Sequence, residues 1–249
     1  MMAISTPFRA VLRRLRRHAG FAAVAIASVA LSVAGATLLA SLATQVLFRE
    51  LPVPQPSTLV WIALQNLAED GRMGGDGTFS LEETEELAAS VGNRLALAGY
   101  AAGSAVIASG AGAERAEVEW VTPSYFEALG LPPAAGRLFD ARDTRGASVA
   151  VLSNRAFRER FASSPTAVGE KILADGLPVT VVGVVPESFR SVEIGDAPDF
   201  FLLATAAPES SAYFRVFGRL QEGATAVEIE GTLRSTFAAI RARHPEFRR

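Results

Sequence analysis

The sequence offers few side chains that could perform acid–base, nucleophilic or metal chemistry. The histidines are His18, which stands among arginines, and His244, and neither is convincingly placed as a general base. Two histidines and no cysteine cannot build a zinc site, and the lack of cysteine also excludes disulfides and thiolate chemistry. We therefore expect no catalytic, cofactor-binding or metal-binding residues and no cofactor, and we predict that the chain is not an enzyme.

Serine chemistry is the remaining catalytic alternative. The run Gly146–Ala150 places Ser148 where a G-x-S-x-G elbow would need it, but the run fails at its last position. A Ser–Lys pair would have to use Lys171, the only lysine, which stands in a strand-like run. A membrane-anchored hydrolase based on Ser148 or Ser153 stays open as an alternative. No Walker A sequence is present, so any ATP hydrolysis belongs to another chain.

Acidic pairs are frequent between residues 82 and 86. Glu82, Glu83, Glu85 and Glu86 fall within one predicted helix, where such charges are usually a solvated face rather than a paired-acid site. The glycine-rich run 70–77 contains Asp70 and Asp76 but lacks the spacing and terminal glutamate of a calcium loop. Neither pattern indicates a ligand site.

A long uncharged run dominates the organisation of the chain. From Ala19 to Phe48 there is no Asp, Glu, Lys or Arg, and about 20 apolar residues suffice to cross a bilayer core. Arginines at 9, 13, 14, 16 and 17 precede it, which places the N-terminus in the cytoplasm. We predict a single transmembrane helix over 19–48 in the bacterial inner membrane, with the rest of the chain periplasmic. A signal peptide cleaved after Ser41-Leu42-Ala43 is the alternative.

Residues 1–18 form an arginine-rich cytoplasmic segment with helical amphipathicity. Its apolar positions recur at i, i+3, i+4 and i+7 and are Phe8, Val11, Leu12 and Leu15. The pattern predicts a helix lying on the cytoplasmic leaflet. It could couple membrane and cytoplasm, or its arginines could simply set the topology.

Small residues line one face of the predicted membrane helix. They recur every four residues and are Ser28, Ser32, Ala36 and Ala40. Small residues let helices approach closely in lipid, so this face indicates packing against other membrane helices. An alanine-rich genome composition would produce the same stripe.

The residues after the uncharged run are acidic overall. They contain all 26 acidic residues but 19 of the 24 basic ones, a net charge of about −7. Such a surface argues against binding to nucleic acid or to anionic lipid headgroups.

Residues 49–249 show helix and strand signals in mixed order. Capping boxes open helices at Ser80 and Thr225, and Asp175-Gly176 predicts a tight hairpin turn. The run 114–121 alternates, with Trp120 among the residues facing a core and Glu119 among those facing solvent. The fold class predicted is α+β, with two lobes.

Five blocks of sequence, in a fixed order, resemble a known family. They are Val121–Gly130 (VTPSYFEALG), Gly136–Phe139 (GRLF), Val149–Ser153 (VAVLS), Val168–Ile172 (VGEKI) and Val181–Val185 (VVGVV). Together with Gly20-Phe21 and Leu51–Pro54 (LPVP), they resemble the periplasmic core domain of MacB/FtsX-type ABC transporter permeases. The resemblance implies a core domain over 49–249 with a porter-like βαβ lobe at about 59–131 and 200–249. A smaller inserted β-rich lobe would occupy about 132–199.

The resemblance also implies a function without catalysis. In this family a cytoplasmic ATPase drives membrane helices, and the external domain passes that motion across the membrane for export or envelope processes. The expected partners are other transmembrane helices of a permease, a separate cytoplasmic ATPase, and, as further candidates, a second copy of the chain and a periplasmic adaptor. Family permeases continue into more membrane helices, whereas this chain stops at Arg249, so we expect a fragment, a split gene product or a relic. A membrane-tethered periplasmic binding or scaffold module, without transport coupling, is the alternative function.

Overall fold

The structure is a computed structural model of the 249-residue chain. It describes residues 19–47, 52–63, 66–67, 73–74, 77–109, 112–143, 146–193, 195–207 and 213–243. The predicted amphipathic segment 1–18, most of the glycine-rich run 70–77 and both histidines lie outside these residues. The chain divides into one unit over Met1–Glu50 and a second over Leu51–Arg249.

In the first unit the structure describes helix α1, over Ala19–Leu47. Two of its hydroxyls bond within the helix: Ser32 Oγ donates to the carbonyl of Ser28 and Thr37 Oγ1 to that of Val33, both at 2.8 Å. In the stretches of chain that the structure describes, no helix combines the length and the apolarity that crossing a bilayer requires. The transmembrane helix expected over 19–48 is therefore not confirmed and stays a prediction.

The second unit alternates strands and helices along the chain. Its longer strands are β1 (Leu59–Ile62), β4 (Thr78–Ser80), β5 (Leu95–Ser109), β6 (Gly112–Val121), β8 (Val149–Leu152), β9 (Lys171–Ala174), β10 (Leu177–Val184), β11 (Phe200–Leu203) and β12 (Tyr213–Leu220). Two-residue strands are β2 (Asn66–Leu67), β3 (Met73–Gly74) and β7 (Ala135–Gly136). The helices are α2 (Leu81–Val91), α3 (Tyr125–Leu129), α4 (Asn154–Glu159) and α5 (Ala226–Arg243). This content agrees with the mixed helix-and-strand class expected from the sequence.

One sheet joins most of these strands, in the order β1-β12-β5-β6-β11-β8-β10-β7, with β4 on β12. Among the strands that the structure describes, β6 with β11 and β8 with β10 pair in parallel, and the other pairs in the sheet are antiparallel. Strand β9 pairs with β10 on one side and with the far half of β5 on the other. The strands β5, β6, β11, β8, β10 and β9 therefore form a closed ring.

The inward side chains of the ring make one hydrophobic core. Trp120 of β6, Phe200 of β11, Ile172 of β9 and Val181 of β10 are each at most 1% exposed and belong to this core. Alternation along β6 places Ala116, Val118 and Trp120 on the inner face, as the sequence pattern predicts. The fifteen-residue strand β5 pairs with β12 through its first half and with β9 near its end, so it connects the ring to the rest of the sheet.

Two further cores cover the remaining faces of the sheet. Helix α3 buries Tyr125 and Phe126 in an aromatic cluster with Phe201 and Phe217, with ring centroids 5.2–6.2 Å apart. Helices α2 and α5 pack together over β5 and β12 through Leu87, Ile229 and their neighbours. The two helical cores hold the elements that carry the site described below.

Local sequence signals place several element ends correctly. Ser80 and Glu83 form the predicted capping box, in which Ser80 N donates to Glu83 at 2.8 Å and Glu83 N to Ser80 Oγ at 3.1 Å. Asp175 and Gly176 both have positive φ in the β9–β10 turn, as a tight hairpin requires. These features depend only on neighbouring residues, which is why the sequence reveals them.

Two local predictions are wrong. The pair Thr122-Pro123 predicts from sequence that Thr122 caps α3, but Ser124 stands at that position and Thr122 Oγ1 instead accepts from Gly99 N of β5 at 3.0 Å. Glu119 does not face solvent, because α3 and the segment after β10 cover that face of β6 and leave the residue fully buried. Both errors come from tertiary neighbours far away in sequence.

Candidate coupling site

A single guanidinium, that of Arg219 on β12, connects the segment entering the second unit to the body of that unit. It donates five hydrogen bonds of 2.6–3.1 Å. The acceptors are the carbonyl oxygens of Ala128, Leu129, Pro54 and Gln55 and the hydroxyl oxygen of Thr58. We call this arrangement the Arg219 clamp.

One half of the Arg219 clamp closes the C-terminal end of α3. The last carbonyls of a helix have no partners within it, and Nε and Nη2 of Arg219 supply donors to Ala128 and Leu129. Gly130 follows in the left-handed conformation, with φ 65°, and turns the chain away there. A guanidinium suits this position because its planar fork directs several donors at once.

The other half of the Arg219 clamp holds the proline-rich entry segment, residues 52–58. Nη1 of Arg219 bonds to Pro54, Gln55 and Thr58 of this segment. Gln55 adopts φ 46°, an uncommon conformation for a residue other than glycine, and Thr58 closes the turn by donating its N–H and hydroxyl to the Gln55 carbonyl. Val53 anchors the segment further by entering the aromatic core at 8% exposure.

The electrostatics of the Arg219 clamp depend on dipoles. The oxygens that the structure places around Arg219 are carbonyls and one hydroxyl, and burial lowers the pKa of its guanidinium. Carbonyl dipoles arranged around a cation replace part of the water that it loses. The clamp therefore depends on the positions of the backbone atoms, and shifting the entry segment would break several bonds at once.

We expect Arg219→Lys to loosen the entry segment while the sheet stays folded. An ammonium cannot span both groups of acceptors, so the substitution should cost about 2 kcal/mol locally, from the usual value of hydrogen bonds to charged groups. Hydrogen exchange in a peptide covering 52–63 should accelerate roughly thirtyfold, at about 1.4 kcal/mol per factor of ten. Arg215→Lys on the same strand is the matched control and should leave that peptide unchanged. Equal protection in the Arg219→Lys and wild-type chains would contradict the clamp.

A buried carboxyl lies beneath α3, on the same side of the sheet. Glu119 of β6 is 0% exposed and accepts hydrogen bonds from Tyr125 Oη and, at 2.7 Å, from Ser191 Oγ. Desolvation raises the pKa of Glu119 to about 7, and the nearby charges of Asp196 and Glu193 act in the same direction, although its two hydrogen bonds oppose the rise. Glu119 thus ties β6, α3 and the segment around residue 191 together.

A second set of hydrogen-bonded polar side chains extends from this carboxyl toward the surface. Tyr100 Oη donates to Glu193 at 3.1 Å, and Arg215 of β12 forms an ion pair with the same carboxylate. Burial raises the pKa of Tyr100, so this phenol stays protonated. The segment around residues 191–193 is therefore attached to β5, β6 and β12 by polar side chains.

An ion-pair network fixes α4 to the start of β11. The Asp199 carboxylate, 9% exposed, accepts from Arg155 and from Arg160, each at 2.7 Å. Arg160 also pairs with Glu114 of β6. Because both oxygens of a nearly buried carboxylate are satisfied by charged donors, this network holds the ring strands to the helix that follows β8.

The residues weighed for catalysis are dispersed. Ser148 directly precedes β8 and Lys171 is the first residue of β9, and these two strands flank β10 on opposite sides. The two residues are therefore separated by two strand spacings, roughly 10 Å. Ser153 Oγ caps α4 by accepting from Ala156 N. Glu83 belongs to the capping box, and Glu86 pairs with Arg243 of α5.

No cluster of three or more metal-binding side chains occurs within the described ranges. Arg219 and Glu119 are the residues that sequence analysis missed. Four of the five acceptors of Arg219 are backbone carbonyls, up to 165 positions away, and no sequence pattern marks a backbone acceptor. The alternation along β6 wrongly predicted that Glu119 faces solvent.

Comparison with protein families finds one description that covers most of the chain. Residues 22–236 match the family model described as MacB-like periplasmic core domain. The match includes α1 from its fourth residue and the second unit as far as α5.

Curated relatives align with part of the chain. The chain is 30% identical over 120 residues to the probable export ATP-binding/permease protein MacB of Pseudomonas entomophila. The aligned residues make up 48% of this chain and 17% of that protein. The chain is 34% identical over 117 residues to the macrolide export ATP-binding/permease protein MacB of Agrobacterium fabrum, covering 47% and 17%. The aligned part of the chain thus spans about a sixth of the length of these relatives.

Solved structures share the fold. The periplasmic region of MacB from Actinobacillus actinomycetemcomitans superposes with a TM-score of 0.53 at 14% identity, covering 74% of this chain and 83% of that one. The extracellular domain of the noncanonic ABC-type transporter YknZ from Gram-positive bacteria gives 0.50 at 15% identity, covering 75% and 93%. At these identities the likeness establishes the architecture of the second unit and nothing about its ligands.

Proposed function

The chain belongs to the family of MacB-like periplasmic core domains of ABC transporter permeases, and from this premise we propose that its second unit receives motion from membrane helices and passes it on outside the cytoplasm. The motion would come from ATP hydrolysis on a separate cytoplasmic ATPase. The chain itself would have no catalytic, cofactor-binding or metal-binding residues, and its role would be mechanical.

The Arg219 clamp is the observation that carries this proposal. A domain that is moved by a membrane helix needs a stiff connection where the chain enters it. Five hydrogen bonds from one side chain join residues 54–58 to β12 and to the end of α3. Through α3, Tyr125 connects to Glu119 on β6, so displacement of the entry segment would be transmitted into the sheet.

We propose that α1 anchors the chain in the inner membrane, with the N-terminus in the cytoplasm and the second unit in the periplasm. The sequence supports this arrangement, since residues 19–48 carry no charge and five arginines precede them. The small-residue face would pack against other membrane helices of a permease. A second copy of the chain and a periplasmic adaptor are further proposed partners.

We also propose a division of the second unit into two lobes. The porter-like lobe would comprise residues 59–131 and 200–249, and the inserted lobe residues 132–199. Strands β7 to β10 all fall within the second range, which supports treating it as an insertion. Its strands pair with β5 and β11, so the two lobes would share one sheet.

Copurification tests the coupled role against the scaffold alternative. We expect the tagged chain, extracted in mild detergent from its own host, to retain a multi-span permease or an ATP-binding subunit identified by mass spectrometry. Replacing Ser28, Ser32 and Ala36 with leucine should abolish that retention, since bulk on this face prevents close helix packing.

Leucine at Ala23, Ala30 and Ala34 is the matched control, because it adds similar bulk on another face of the helix. If the chain is a coupled subunit, the control variant should retain more of the permease or ATP-binding subunit than the variant with leucine at 28, 32 and 36. If both sets leave retention unchanged, the chain does not pack into a permease through this face. Recovery of wild type as a lone monomer would support the tethered binding or scaffold module instead.

A further inference from the structure

A cleft on the second unit lies between α2 and α3. The residues that the structure describes around it enclose about 370 Å³, a volume within the range of small-molecule sites. Leu81 and Ala88 of α2 and Pro123 before α3 line it and are partly exposed. Leu97 of β5 and Leu203 of β11 also line it and are buried. We call this feature the α2–α3 cleft.

The α2–α3 cleft lies where the three hydrophobic cores described above meet. Among its lining residues, Leu97 belongs to the core beneath α2 and α5, Leu203 to the aromatic core beneath α3, and Ala204 to the core of the ring. These three side chains are at most 5% exposed, so they present a packed, apolar surface. A molecule in the cleft would therefore bury apolar surface against all three cores at once.

The hydroxyl groups that line the α2–α3 cleft already have hydrogen bonds within the protein. Thr84 Oγ1 donates to the Ser80 carbonyl at 2.8 Å, and Ser124 Oγ donates to the Leu97 carbonyl at 2.7 Å. Thr122 Oγ1 accepts from a backbone N–H of β5 at 3.0 Å. A polar ligand atom would therefore have to compete with these bonds for a partner.

The buried acid of the α2–α3 cleft is satisfied as well. Asp143 is 3% exposed, and its carboxylate accepts two hydrogen bonds from Arg137, at 2.6 and 2.8 Å, and one from Asp140 N at 3.1 Å. An ion of either sign would lose its water without gaining a new partner from Asp143 or the hydroxyls, which is costly. An uncharged apolar group pays no such cost, and apolar cavities bind molecules such as benzene.

We propose that the α2–α3 cleft binds an uncharged, predominantly apolar small molecule, such as one built on a single aromatic ring. Burial of apolar surface against Ala88, Leu97 and Leu203 supplies the affinity. The loss of water by a polar or charged group disfavours analogues of the same shape. This site does not depend on the coupling role proposed above.

Four probes built on one ring test the site on the full chain. Toluene is apolar, 4-methylpyridine has a hydrogen-bond acceptor in the ring, N-methylpyridinium is a cation and benzoate is an anion. Binding is measured by saturation-transfer NMR titration at a pH where 4-methylpyridine is uncharged. We expect toluene to bind, 4-methylpyridine to bind about tenfold more weakly because its nitrogen loses a hydrogen bond to water, and neither ion to bind.

Leucine at neighbouring positions of α2 locates the binding. Ala88→Leu should abolish toluene binding, because the larger side chain fills the cleft. Ala89→Leu is the matched control, since Ala89 is exposed and is not among the residues lining the cleft, and toluene should bind this variant as it binds wild type. Uptake of toluene by detergent is common to both variants, so the difference between them isolates the cleft.

The probe series on the wild-type chain keeps the test decisive if Ala88→Leu misfolds. Three results would each overturn the proposal: no toluene binding to wild type, a polar or charged probe that binds as tightly as toluene, or equal toluene binding by folded Ala88→Leu and wild type. Failure here would leave the copurification result for the coupled role untouched.

Discussion

Replacing Gly183 with alanine is expected to destabilise the second unit by about 3 kcal/mol, at the upper end of the cost of overpacking. Gly183 of β10 pairs with Gly136 of β7, and a Cβ built on Gly183 would stand 1.9 Å from the carbonyl oxygen of Arg137. The obstructing atoms are backbone, so no side-chain rotation relieves the contact.

The local damage would spread beyond the pair of glycines. Arg137 N donates to the Val182 carbonyl at 2.9 Å, and the same residue holds Asp143 through its guanidinium. Separating β7 from β10 would therefore also disturb the loop that follows β7. This close approach of two backbones explains Gly136 and Gly183, which lie within two of the sequence blocks that resemble the family.

Urea unfolding followed by the fluorescence of buried Trp120 measures the effect of Gly183→Ala. Gly231→Ala is the control, since Gly231 is an exposed residue of α5 with nothing within 4 Å of an added Cβ. That change should stabilise the chain slightly, by up to about 1 kcal/mol. An unchanged midpoint for Gly183→Ala would show that β7 and β10 do not approach as closely as described.

The second large effect is a fall in stability as the pH rises from about 4.5 to about 7, caused by Glu119. Its pKa is raised from 4.5 to about 7 in the folded chain, so over this interval the native state holds a proton that the unfolded state has released. The stabilisation is complete below pH 4.5 and is lost as the pH passes 7. At 1.36 kcal/mol per pKa unit, the loss amounts to about 3 kcal/mol for this fully buried group.

Glu119→Gln should remove this dependence. The amide can still accept one hydrogen bond and donate another between Tyr125 and Ser191, yet it carries no charge at any pH. We expect the variant to match wild type near pH 5 and to exceed its free energy of unfolding by up to about 3 kcal/mol at pH 8. Glu117→Gln, an exposed neighbour on the same strand, should leave the wild-type profile unchanged.

Denaturant titrations at pH 5, 6, 7 and 8 give both profiles. A wild-type stability that is flat or rises over this range, with Glu119→Gln parallel to it, would mean that the carboxyl is not buried in the folded chain. Other titrating groups shift both profiles equally, so the difference between wild type and Glu119→Gln isolates the contribution of Glu119.

Much of the chain could be predicted from residues close together in sequence. The capping box at Ser80, the turn at Asp175-Gly176 and the inward face of β6 each depend on a few neighbouring positions, and the structure has all three. The uncharged run 19–48 is equally local, although its membrane role remains a proposal. The order of the sequence blocks sufficed to indicate the family.

Only the tertiary structure decided how the strands close and which polar groups are buried. Pairing of β9 with β5 completes the ring, and it joins residues more than 60 positions apart, for which the sequence contains no marker. The Arg219 clamp and the burial of Glu119 arise in the same way, because strand alternation specifies a face but not what covers it. Local patterns are set by backbone geometry within a few residues. In contrast, the hydrogen-bond acceptors of Arg219 and the segments that bury Glu119 come from parts of the chain that are distant in sequence and are brought together by folding.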